Sequence, residues 1–81
     1  MSTRPSSSAR WRAALPASGT SSTRWLVLED DSELSGGWFL YGYATLDAAP
    51  EFDNWYLTRR EAMEDAEREW GVPPAAWTAT E

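Results

Sequence analysis

The sequence predicts an α+β domain of order β-β-β-α, a three-stranded antiparallel meander followed by one amphipathic helix, behind a disordered N-terminal leader. Three observations predict it. Runs rich in aromatic and branched residues recur at 24–29, 38–45 and 52–57, each bounded by turn formers. The connections between them are too short for the crossover that a parallel pair needs. The last run leads into a helix marked at both ends, by Thr58 and by Gly71-Val72-Pro73-Pro74.

Residues 1–23 are rich in Ser, Ala and Arg, and Pro5, Pro16 and Gly19 interrupt any regular element, so they read as a disordered leader. Arg4, Arg10 and Arg12 give that leader a charge of +3, whereas residues 24–81 set four arginines against thirteen acids, a balance of −9. Within the domain, assigned to 24–77, Arg24-Trp25-Leu26-Val27-Leu28-Glu29 reads as a strand buried on both faces. The following charged segment with Gly36 and Gly37 is a hairpin connection longer than the tightest type. The second strand carries Gly42, which marks a bulge or the close approach of another backbone. Pro50 and its neighbours end it, and the third strand carries Trp55 and Tyr56 into the helix cap. Residues 78–81 read as a tail.

On the helix, Thr58 and Glu61 have the spacing of a capping box, with Leu57 in the staple position. Gly71 suits the left-handed C-terminal position, Val72 folds back toward Ala66, and the two prolines forbid continuation. Ala62, Met63, Ala66 and Trp70 form the apolar face that docks on the sheet. The opposite face holds Glu61, Glu64, Asp65, Glu67 and Glu69 with Arg60 and Arg68; Arg60–Glu64 and Glu64–Arg68 are favourable pairs there. Trp77 is too apolar for a free tail and packs back as a lid.

An 81-residue chain holds one small core, and six tryptophans, three tyrosines and two phenylalanines supply its mass. The absence of Cys and His removes disulfides, thiolate nucleophiles, zinc sites and imidazole acid/base chemistry together. Lys is also absent, and no carboxylate has an apolar setting, so the expectation is a non-catalytic protein without cofactor or metal. The acidic stretch Glu29-Asp30-Asp31-Ser32-Glu33 lacks the ligand spacing of an EF-hand and reads as a solvated turn. Cysteine-free composition points to a reducing cytoplasm, and arginine in place of lysine to a GC-rich bacterial genome. No stretch is apolar enough to span a bilayer, and the leader has no apolar signal-peptide core.

The expected interaction site follows from alternation on the second strand. Trp38 and Leu40 fall on one face, Phe39, Tyr41 and Tyr43 on the other, and one helix covers only one of them. The uncovered face is an association surface for a protein partner or a homodimer unless Trp11, Trp77 or the tails close over it. The alternative is an acidic immunity or inhibitor-like protein, DNA-mimicking in its extreme form, that binds a basic target through Glu61, Asp65 and Glu69. A body at −9 repels phosphates, so nucleic acid is not expected on the folded domain.

Phe52-Asp53-Asn54-Trp55-Tyr56, the Glu-rich helix closed by Trp70-Gly71-Val72 and the later Trp77 together resemble a pattern found in small uncharacterised bacterial α+β proteins. The resemblance covers about residues 24–77 and implies a fold, since that group brings no activity with it. More loosely, small acidic α+β chains of this kind resemble toxin-immunity and phage-encoded inhibitor proteins.

Overall fold

Alternation along each strand sorts the side chains onto two faces of one sheet, and a single helix claims one of those faces. The computed structural model describes residues 10–15 and 22–80. Its elements are β1 (Arg10–Ala14), β2 (Trp25–Asp31), β3 (Gly37–Tyr43), β4 (Phe52–Tyr56), α1 (Arg59–Trp70), a 3-10 turn (Pro74–Ala76) and β5 (Thr78–Thr80). All neighbouring strands are antiparallel, in the order β4-β3-β2-β1-β5.

The fold class is α+β, but the expected three-stranded meander followed by one helix is corrected to a five-stranded sheet. The two added strands lie in segments read as leader and tail. In Arg10-Trp11-Arg12-Ala13-Ala14 the period is two: Trp11 and Ala13 turn to the helix side, Arg10 and Arg12 to the other. Pairing of Arg10–Ala14 with the long β2 then satisfies a backbone that its polar flanks made look unstructured, and Leu15 N–H donates to the Arg24 carbonyl at 2.8 Å to extend the ladder. Thr78–Thr80 in turn pairs with Arg10–Arg12, so the second addition depends on the first. Expected leader residues 1–9 and 16–21, and Glu81, lie outside the described residues.

Leu26, Leu28 and Leu40 are fully buried at the centre, closed by Ala13 from β1, Ala62 and Ala66 from α1, and Val72 beyond it. The helix apolar face is therefore the expected one, with Met63 and Trp70 at its margins. Gly42 is explained by a ring rather than a bulge or a backbone: Phe52 occupies the space a Cβ would need and stacks on Trp70, centroids 5.2 Å apart and planes within 7°. Trp11 meets Trp38 at 5.7 Å, and the Arg59 guanidinium lies 4.9 Å and 5.9 Å from their two centroids. Trp77 packs against the same core, and its buried indole N–H has no hydrogen-bond partner among the described residues.

The N-cap acceptor and the glycine C-cap of α1 form as expected, but among the described residues the Glu61 side chain does not return a bond to the Thr58 N–H, and Leu57 in the staple position is 59% exposed. Thr58 is extended (φ −130°, ψ 156°), and its Oγ1 accepts the Glu61 N–H at 3.1 Å. Gly71 has φ 72°; its N–H donates to the Glu67 carbonyl, and the Val72 N–H to the Ala66 carbonyl. Thr58→Ala leaves the Glu61 amide without this acceptor and lowers stability by about 1 kcal/mol, whereas Thr58→Ser retains most of it. Urea midpoints of the two variants and the native chain measure the difference, and an unchanged Thr58→Ala midpoint contradicts the cap's contribution.

Candidate interaction face

The strand register lines up the side chains that turn away from the helix in cross-strand rows. The central row runs Asp53, Tyr41, Val27, Arg12 from β4 to β1. Beside it runs Trp55, Phe39, Glu29, Arg10, and on the other side Tyr43, Trp25, Ala14. Phe39, Tyr41 and Tyr43 are therefore brought together as expected along β3, with centroids 5.7 Å and 6.3 Å apart. Trp11 and Trp77, the two named rings that stood to close over this face, pack on the helix side instead. All three β3 rings are half-buried, each keeping part of its surface in contact with water.

Two further aromatics, beyond the expected β3 rings, belong to the face. Trp25 carries the Arg12 guanidinium 5.2 Å from its centroid. Trp55 is 45% exposed and lies across Gly37, with its indole N–H donating to Ser35 Oγ at 2.8 Å. A Cβ at Gly37 would collide with both the Trp55 ring and the Tyr56 carbonyl oxygen, so the glycine is what lets the indole lie flat on the sheet. Cross-strand parity could have found Trp55, because it faces Phe39; no turn or motif announces it.

Charge is distributed unevenly across the face. Asp53 stands on the β4 side, Arg10 and Arg12 on the β1 side, and Glu29 between them, 3.7 Å from Arg10. Asp31 sits at the rim opposite Gly37. Val27 is 7% exposed despite facing away from the helix, because its neighbours close around it. A shallow cavity of about 190 Å³ opens there, lined by Arg10, Arg12, Val27, Tyr43, Leu46 and Thr80. Burial, and then the charge of the neighbouring Glu29 carboxylate, raise the Tyr41 hydroxyl above its usual pKa, so it is a neutral hydrogen-bonding group at the centre of the face.

The expected acidic residues do not join this site. Glu61 and Glu69 are exposed on α1, on the other side of the sheet. Asp65 is half-buried, accepts the Tyr56 hydroxyl and pairs with Arg68, which also lies 3.7 Å from Glu69. Arg68 is thus engaged by Asp65 and Glu69 rather than by Glu64 as the spacing suggested. In the acidic loop, the Asp30 carboxylate accepts the Ser32 N–H at 2.8 Å and closes a turn. Among the described residues, no group of three or more acidic, His or Cys side chains is arranged to hold a metal ion, and no helix is long and apolar enough to cross a membrane. No protein-family model, curated protein or solved structure matches the chain.

Proposed function

We propose that the chain is a non-catalytic protein-interaction domain that associates through the sheet face opposite α1. The observation that carries this reading is the continuous set Trp25, Phe39, Tyr41, Tyr43 and Trp55, five large rings on one face with no helix over them among the described residues. Rings of this kind form the energetic centres of interfaces because they bury much area at little conformational cost. The cysteine-free sequence fits work in a reducing cytoplasm. The acidic-helix reading is weaker, since Asp65 is occupied by Tyr56 and Arg68 and its remaining carboxylates are interspersed with arginines.

The test compares Tyr41→Glu with Glu61→Lys/Glu69→Lys in the full chain, with fold checked by circular dichroism. Retention of protein by the immobilised chain and self-association in solution are both measured. The face substitution is expected to weaken association at least about tenfold, while the helix pair changes it little. The opposite pattern, with binding that falls steeply as salt rises, selects the acidic-helix reading instead.

A further inference from the structure

Resting on the face as an interaction surface, we infer that its occupant is a second copy of this chain, related by a two-fold axis that runs parallel to the strands between β2 and β3. The argument starts from what an isologous interface demands: the patch must be complementary to itself after rotation. The central row fulfils that condition about one axis only. Read from β4 to β1, it is acid, phenol, aliphatic, base: Asp53, Tyr41, Val27, Arg12. Rotation about an axis along the strands reverses the row and sets it over itself. Asp53 then meets the partner's Arg12, and Tyr41 meets the partner's Val27.

The neighbouring rows reverse as well, and the row that sets Phe39 over the partner's Glu29 leaves that carboxylate its own Arg10 as an ion-pair partner. Trp55 comes over the partner's Arg10, at the shallow cavity that Arg10, Arg12 and Thr80 line, an arrangement suited to a cation–π contact. Tyr43 comes over the partner's Trp25. An axis across the strands instead keeps each strand over its own copy, so Asp53 opposes the partner's Asp53 and Arg12 the partner's Arg12, which like-charge repulsion disfavours. Packed sheets also turn by about 30° relative to each other, and a long Arg side chain at roughly 7 Å from the axis absorbs the resulting offset.

Size sets the strength. Five strands make a face roughly 24 Å wide and roughly 17 Å long from standard strand spacing and rise, which places the dimer at the small, reversible end of specific interfaces. The chain as a whole carries −6, yet this face holds Arg10 and Arg12 against Glu29, Asp53 and the rim residue Asp31, so the contact region itself is close to balanced.

Charge exchange tests the axis directly. Sedimentation velocity of the full chain from ~1 µM to ~500 µM is expected to show a reversible monomer–dimer equilibrium. Arg12→Asp and Asp53→Arg, both at exposed positions, each weaken it at least about tenfold by creating two like-charge contacts per dimer. An equimolar mixture of the two variants, and the double variant alone, return it to within about threefold of native, because every contact again pairs opposite charges. Arg12→Gln and Asp53→Asn replace any charge-reversed variant that loses its fold by circular dichroism; each alone weakens the dimer.

A native chain that stays monomeric over the whole range overturns the inference, as does failure of the mixture and the double variant to recover. Restoration by mixing Arg12→Asp with native chain to a tighter dimer than either alone assigns the other axis and overturns it too. A monomeric chain that still holds a different protein through Tyr41 removes the second copy while leaving the interaction face standing; association indifferent to Tyr41→Glu removes both.

Discussion

Deleting residues 1–15 unfolds the domain. Arg10–Ala14 lies between β2 and β5, so its loss strips hydrogen-bond partners from two strands and leaves β5 with no strand beside it. Trp11 goes with it, and with Trp11 the ring that meets Trp38 and supports Arg59. Removing a packed Trp costs about 3–5 kcal/mol by itself. Ala13, buried beside Leu26, goes as well, and the apolar flank of β2 is opened to water. An 81-residue domain has about 4–12 kcal/mol of total stability, so these losses together leave no folded margin. Far-ultraviolet circular dichroism and amide dispersion of residues 16–81 measure the outcome. A dispersed, cooperatively melting spectrum contradicts it.

Leu28→Ala is expected to cost about 2–5 kcal/mol, while Leu34→Ala costs less than about 0.5 kcal/mol. Both substitutions remove the same atoms. Leu28 is 0% exposed, between Trp11 and Leu40 in its cross-strand row and under the helix, so the cavity left behind is enclosed on every side. Leu34 is 89% exposed in the loop before β3 and touches little that water does not. The difference is therefore packing and transfer free energy, with chemistry held constant. Urea denaturation of both variants measures it; equal midpoints refute the placement of the core.

The parts of the fold legible from sequence are those in which local chemistry and tertiary packing agree. Strands β2, β3 and β4, the helix and both its caps are such cases: branched and aromatic runs, a Thr58 acceptor, a Gly71 with φ 72°. Strand β1 was not legible, because five residues inside a Ser, Ala and Pro-rich stretch have composition typical of an unfolded segment, and only their pairing with β2 stabilises them. Its period of two, with Trp11 and Ala13 against Arg10 and Arg12, was the one local sign. Strand β5, three residues long, has no signal apart from its neighbour.

Of the candidate site, Phe39, Tyr41 and Tyr43 were legible because a pleated strand must separate them from Leu40. Trp55 was legible only through the parity that sets it across from Phe39, which no turn or motif announces, and Arg12 was not legible because composition concealed its strand. Asp65 misled for a related reason. Helical spacing puts it on a charged face, but Tyr56 reaches it from the end of β4, and no periodicity within one helix reports a neighbour outside it.

The pairing of Arg10 with Thr80 has a mechanical consequence. The polypeptide enters and leaves the sheet at one corner, on adjacent antiparallel strands, so a pull applied through both extensions peels those strands apart one hydrogen bond at a time instead of shearing them all at once. Tethered by both extremities, the molecule yields to small forces. Attached by one extremity and one loop such as 44–50, it resists much more.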